Sequence, residues 1–338
     1  MLMSTKVKEL IVMALIVVFC LFFYIRKING GEGIIFSPAV AWLTIALLVI
    51  ALIWVLVLTI RGRLISRRVV FIFVGVALAL PLFMPFSQKI SISPEVRSLY
   101  DSVEKLQPGS KVLVSFDYDP PSAPELQPMA ESFIRLCFQK DLKVIIMGLW
   151  PQGPQQANMA IDKVLEDEAL KAKNLRYGED YVNLGFQTGN EFVIQRMGSS
   201  FESMFPTDFR GTPYDSLPLV RNVKNFSNIE YSFNLSAGFP GSVEWVQIAV
   251  DRYGVQLGLG NTAVQAPQMY TYLNAGQVTG ILGGMNGGAE FEDLCGYRAK
   301  ATKFMLSQSF SHMIVIAFIL IGNVAFFLSG RKSALKKN

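Results

Sequence analysis

A single histidine, three cysteines and only 17% charged residues set the limits on this 338-residue chain. With His312 its only imidazole, the chain has no second histidine for a His-rich metal site, and a His-dependent triad in its central part is excluded. Three cysteines exclude a Cys-based zinc cluster and a disulfide framework. The shortage of charge accompanies 51% hydrophobic residues and a mean hydropathy of +0.36, which fits poorly with two or three soluble domains and implies a chain partly in membrane.

Four apolar runs approach the ~20 residues that cross a ~30 Å hydrocarbon core as a helix. They are Leu10 to Ile25, Ala39 to Ile60, Val69 to Phe86 and Met305 to Leu328. The first has a cleaved signal peptide as its rival, but Tyr24-Ile25-Arg26-Lys27 offers no small-residue cleavage site, so it is expected to stay as a span. Pro81 and Pro85 fall in the last turns of the third run, where a membrane helix tolerates them. The expected domains are residues 1–86 with three spans (about 10–25, 39–60 and 69–86), an inserted domain at 87–304, and a fourth span with a basic tail at 305–338.

Orientation follows from short-loop cations. Arg61, Arg63, Arg67 and Arg68 stand between the second and third runs, and Arg331, Lys332, Lys336 and Lys337 follow the fourth, with no acid in either segment. Four spans put both segments and both termini in the cytoplasm, at an inner or cytoplasmic membrane, and residues 87–304 outside. The net charge of +5 then divides unevenly, because the external segment holds 19 Lys and Arg against 24 Asp and Glu. No basic face remains for nucleic acid once the membrane-edge cations are removed.

Within residues 87–304, apolar strand-like runs alternate with amphipathic helical ones. Strands are expected at Lys111 to Phe116, Lys143 to Leu149, Tyr181 to Phe186, Ile229 to Leu235, Val255 to Leu259 and Val278 to Leu282. Helices are expected at Ser93 to Leu106, Pro124 to Gln139, Asn158 to Glu168, Glu191 to Met204, Pro218 to Phe226, Val243 to Tyr253 and Gln268 to Leu273. This alternation signals crossover units and an α/β, doubly wound, mostly parallel, Rossmann-like sheet. The acids Glu290, Glu292 and Asp293 suit the first turn of one long helix from Ala289 to Leu328, unless Gly296 breaks it.

In such sheets ligands bind beyond the carboxyl ends of the strands. The first strand runs into Phe116-Asp117-Tyr118-Asp119-Pro120-Pro121, and Asp117 with Asp119 resembles the first motif of haloacid-dehalogenase-like phosphotransferases and the metal-binding Asp-x-Asp of some glycosyltransferases. That resemblance implies a metal-dependent hydrolase or transferase, with Asp117 and Asp119 catalytic and a divalent metal as cofactor. The second strand ends in Met147-Gly148-Leu149 where the phosphotransferases carry Ser or Thr, and turn-forming acids are the alternative. Gly258-Leu259-Gly260-Asn261-Thr262-Ala263 has the spacing of a dinucleotide turn on the wrong strand, with no acid ~20 residues on; Asn261 and Thr262 stay as ligand-contact candidates. Glycines 276, 280, 283, 284, 287 and 288 indicate a tight chain path or a contact surface.

His312 and Asn323, eleven residues apart on the last run, fall within ~20° on a helix and are expected to pack against another membrane helix. Cys137 lies on an apolar helix face and is expected to be a buried thiol unpaired with Cys295. The strand-helix alternation resembles one lobe of the periplasmic-binding-protein or flavodoxin-like folds, and Ala275-Gly276-Gln277 through Glu290-Phe291-Glu292 resembles uncharacterised prokaryotic membrane proteins. The expected function is a non-enzymatic, membrane-anchored component of an envelope assembly that needs no cofactor. Its expected partners are membrane lipid, further copies of the chain or other envelope membrane proteins. An external metal-dependent enzyme and a small-ligand receptor subunit are the alternatives.

Overall fold

The computed structural model describes residues 38–61, 66–83 and 90–335. Lys89–Met305 forms one compact unit, and the other comprises the residues on either side of it. In the first unit, strands β1 (Lys111–Asp117), β2 (Lys143–Gly148), β3 (Tyr181–Phe186), β4 (Tyr231–Ser236), β5 (Leu257–Asn261) and β6 (Gly280–Gly283) form one sheet. Their order is β3-β2-β1-β4-β5-β6 and every neighbouring pair is parallel, which makes the fold Rossmann-like. Near-continuous apolar runs such as Val144-Ile145-Ile146-Met147 suit strands buried on both faces.

Helices cover those two faces. On one, α3 (Pro94–Glu104), α4 (Ala123–Gln139), α5 (Gly153–Leu165) and α9 (Gly284–Leu294) enclose Val112, Val114, Phe116, Tyr231 and Phe233. On the other, α6 (Glu191–Met197), α7 (242–253) and α8 (Ala266–Asn274) enclose Leu113, Met147, Leu257 and Trp245. The first core centres on aromatic stacking: Phe133 lies parallel to Phe233 at 4.1 Å between ring centres. Two glycines of β5 make room for this. A Cβ on Gly258 would overlap the Tyr231 hydroxyl, and one on Gly260 would come within 3.0 Å of the Phe233 ring and 2.8 Å of Leu235 Cδ2. The Gly-x-Gly spacing therefore serves sheet packing under large neighbours.

Three expected helices are altered, each for a local reason. Residues 218–226 form irregular turns, because the Val223 carbonyl accepts the Tyr214 hydroxyl and the Lys224 N–H donates to Asn228 Oδ1 instead of to a helix. The helix expected over 191–204 is split at Gly198, which packs under the Tyr253 ring where a Cβ would overlap it, and resumes as Phe201–Met204. The long helix is broken at Gly296, whose φ of +67° terminates α9; α10 (Lys300–Leu335) then starts afresh.

That break changes the role of the acids. Glu290 and Glu292 lie towards the end of α9, are almost wholly buried, and hold the two chain segments by which the unit begins and ends. Glu290 Oε2 accepts the Ser93 N–H at 2.7 Å and its hydroxyl at 2.6 Å, ahead of α3. Glu292 accepts the N–H groups of Ala299, Ala301 and Thr302 at 2.8, 2.9 and 3.0 Å and the Thr302 hydroxyl at 2.7 Å, so it caps α10 from outside that helix.

In the other unit lie α1 (Pro38–Ile60) and α2 (Arg67–Phe83). Among the described residues one helix, Lys300–Leu328, is long and apolar enough to cross a membrane. The apolar stretch described in α1, Ala46–Ile60, is shorter than a span, and α2 has 17 residues. The first apolar run lies outside the described residues. Four spans are therefore not supported by these helices, and one is. On α10 the packed face carries Leu306, Ser307, Ile314 and Ala325, and Phe318 meets Phe73 edge-to-face at 5.5 Å. His312 and Asn323 lie off that face and are exposed, with Asn323 Nδ2 donating to the Ile319 carbonyl of its own helix at 2.9 Å.

Candidate functional site

The strand order reverses between β1 and β4, and the crevice at their carboxyl ends is where such sheets place ligands. Strand alternation sends Ser115 and Asp117 of β1, Ser232, Asn234 and Ser236 of β4, and Asn261 of β5 towards the α7 face. All six are buried, and they form a polar layer in an otherwise apolar sheet. Its register is fixed by the ladder, with Ser115 opposite Asn234, Asp117 opposite Ser236 and Ser236 opposite Asn261.

Asp117 is the centre of this layer and has no exposed surface. Its Oδ1 accepts the Ser115 hydroxyl at 2.8 Å and the Leu149 N–H at 2.7 Å. Its Oδ2 accepts Asn234 Nδ2 at 2.6 Å and Trp245 Nε1 at 2.9 Å. The indole reaches it because α7 winds as a π-helix through Trp245–Val250, a geometry often found where a helix must re-aim one side chain. Burial raises the carboxyl from the usual carboxylate range to about 7, and the four donors pull in the opposite direction.

A carboxylate only accepts, so it orients the whole chain of amides beyond it. Asn234 gives its amide hydrogen to Asp117 and turns its Oδ1 to the Ser242 hydroxyl, which donates at 2.7 Å. The Ser242 oxygen in turn accepts Asn261 Nδ2 at 2.8 Å, and Asn261 also donates to Gln265 Oε1 at 3.0 Å. The far end, Asn261 Oδ1, is buried with no hydrogen-bond partner among the described residues.

The sequence-derived candidates separate on this geometry. Asp117 and Asn261 belong to one network, linked through Asn234 and Ser242. Asp119 does not join them: it precedes the turn Pro120–Ser122, half-buried, with Oδ1 accepting the Ser122 hydroxyl at 3.1 Å. Thr262 uses its carbonyl to start the turn into α8, accepting the N–H groups of Gln265 and Ala266. With two donors on each oxygen of Asp117, no lone pair faces a metal, and the Asp117–Asp119 pair does not fit a divalent ion. Among the described residues no three His, Cys, Asp or Glu side chains cluster as metal ligands. Cys137 and Cys295 are both free thiols, the first buried and the second pushed up to about 12 mainly by burial, so neither is a ready nucleophile.

Beside the polar layer, the loops after β2, β3 and β4 surround an open cleft of about 530 Å³. Trp150, Pro151, Phe186, Phe239 and Pro240 supply its apolar wall, and Thr188 and Asn190 its polar side chains. Trp150 Nε1 donates to the Pro240 carbonyl at 2.7 Å and ties two of these loops together. Phe239 remains 67% exposed, and Phe192, just beyond Asn190, 69%. Sequence reasoning missed this wall because Trp150 and Phe239 lie in Pro- and Gly-bearing loops that read as turns. The polar layer had a usable signal in the period-two Ser232, Asn234 and Ser236 inside a strand.

Comparison with known proteins gives no match: no family model, no curated protein and no solved structure is similar enough to this chain to count.

Proposed function

We propose that the chain is a membrane-anchored, non-enzymatic binding protein whose Rossmann-like domain presents the aromatic cleft at the carboxyl edge of its sheet to another protein of the cell envelope. One observation carries this reading. The carboxylate at the switch point is saturated by four donors and closed to solvent, whereas the surface left open beside it is apolar and aromatic. Exposed Phe239 beside half-buried Trp150 at a protein edge favours association over proton transfer. The test is the exposed ring: Phe239→Asp should abolish the higher-mass assembly formed by the intact chain in mild detergent, with thermal unfolding unchanged. Wild-type protein that runs only as a monomer without a partner, or an assembly indifferent to Phe239→Asp, overturns the reading.

The cleft volume supports a second reading, a receptor for a small apolar ligand, since about 530 Å³ lies within the range of small-molecule sites. Direct binding of a small molecule by the isolated monomer, lost in Phe239→Asp, would favour it.

The proposal extends to topology. Exposed Ile316, Ile319, Leu320, Phe326 and Phe327 on α10, and Leu47, Ile50 and Trp54 on α1, would be untenable together in water and suit lipid. We place α1 and α2 in the same bilayer as α10, with the Arg61–Arg68 segment and the basic tail on the cytoplasmic side and the α/β domain outside. A reporter fused after Lys337 is expected to be active only in the cytoplasm; activity confined to the outer side reverses the assignment.

A further inference from the structure

A second cavity, of about 210 Å³, lies on the α4 and α5 side of the domain, where α10 begins. Five cationic side chains line it, Arg135, Lys163, Arg298, Lys300 and Lys303, against two acids, Glu131 and Glu292. Glu292 has its oxygens occupied by the N–H groups of residues 299, 301 and 302, so its charge is already met by the α10 N-terminus. Arg135 is the fixed element. It is 4% exposed, pairs with Asp167, and stacks over the Tyr297 ring with 3.6 Å from Cζ to the ring centre. Three further pairs are surface pairs of little individual worth: Lys163 with Glu166, Arg298 with Asp293, and Lys300 with Glu131 at 2.8 Å. An anion entering the cavity can replace such partners at small cost.

We infer that this cavity binds a phosphate-bearing anion, and that the phosphate is that of an anionic phospholipid headgroup. Planar Arg135 and the flexible lysines match phosphate oxygens, and the volume suits a headgroup better than a larger organic ligand. Location points to lipid: Lys300 and Lys303 stand on the first turn of the one helix among the described residues that is long and apolar enough to cross a membrane, directly before Phe304, Met305 and Leu306. Cations at that depth meet headgroups. This inference does not depend on the aromatic cleft. Its lipid source rests on the membrane reading of α10, but its anion chemistry does not.

The experiment uses the full chain in neutral detergent, probed with inorganic phosphate, and reconstituted with phosphatidylglycerol or with phosphatidylcholine alone. Arg135 is too buried for a safe variant, so Lys300→Gln combined with Lys303→Gln is the test, and Lys336→Gln combined with Lys337→Gln removes equal charge from the tail. Phosphatidylglycerol is expected to raise the unfolding temperature while phosphatidylcholine does not, and the 300/303 variant to bind phosphatidylglycerol roughly 10- to 30-fold more weakly. The tail variant should bind like wild type. Protection by phosphate in detergent with no preference for phosphatidylglycerol keeps the anion site and overturns the lipid assignment. No effect of either probe, or equal losses in the two double variants, overturns the site, since equal loss is diffuse attraction to the surface.

Discussion

Replacing Asp117 by asparagine is expected to lower the stability of the α/β domain by about 3–5 kcal/mol, enough to unfold a domain of ordinary stability partly or wholly. The reason lies in which donors can turn round. The Ser115 hydroxyl on Oδ1 and the Asn234 amide on Oδ2 can rotate to accept; the Leu149 N–H on Oδ1 and the Trp245 indole N–H on Oδ2 cannot. Whichever way the new amide is placed, its NH₂ faces one donor that has no alternative. Asn234 cannot reverse freely either, because Ser242 and Asn261 are oriented through it. Asp119→Asn is the control, with a change within about 0.5 kcal/mol, since Asp119 holds only the Ser122 hydroxyl at 3.1 Å. Denaturant unfolding of the three proteins measures both values; a stable Asp117→Asn domain would show that the network is not essential to the fold.

The same residue gives the domain an unusual pH response. With its folded value raised to about 7, Asp117 holds a proton between about pH 4 and 7, where the unfolded chain has already released it; in that form the Ser115 hydroxyl turns to accept from Oδ1, and the other three donors stay as they are. Its contribution to stability is therefore complete below the unfolded value and is lost as pH rises through the folded one. Most paired carboxylates behave in the opposite sense. Carbon NMR of the Asp117 carboxyl in the folded wild-type domain, followed from about pH 4 to about pH 9, reads this ionisation without recourse to a destabilised variant. The carboxyl is expected to titrate near pH 7 while the wild-type unfolding free energy falls over the same interval, and a carboxyl that stays ionised at every pH would overturn this.

What the sequence made legible was the local part of this design. Tyr181–Phe186 and Lys143–Gly148 read as strands because short apolar runs between breakers leave little choice, and Asp117 drew notice as an acid at a strand end. What it did there was hidden, because its donors Leu149, Asn234 and Trp245 lie 32, 117 and 128 residues away and converge only through the strand order. That order depends on where each crossover docks, which no local pattern encodes. The glycines of β5 were ambiguous for a similar reason: a Gly-x-Gly after a strand suits a phosphate turn or a crowded sheet face, and only Tyr231 and Phe233 on the neighbouring strand decide it.

The acids before the last helix show how one residue's conformation reverses a reading. A helical pattern tolerates a single glycine, so continuity through Gly296 was reasonable and put Glu292 where a carboxylate serves the dipole of its own helix. With the break, Glu292 serves the dipole of the next helix. Glu292→Gln is expected to cost about 2–4 kcal/mol, because the amide keeps one acceptor and turns an NH₂ towards backbone N–H groups of residues 299, 301 and 302 that nothing else reaches. Asp293→Asn, which removes only an exposed pair with Arg298, should change stability by less than about 1 kcal/mol. The loss should be local as well as global. Amide exchange at Ala301 and Thr302 is expected to accelerate in Glu292→Gln well before exchange in β1 and β4, since the cap holds the start of α10 and not the sheet. Equal acceleration in both places would mean that the carboxylate stabilises the whole domain, and unchanged exchange at 301–302 would remove its role as the cap that joins the α/β fold to its C-terminal helix.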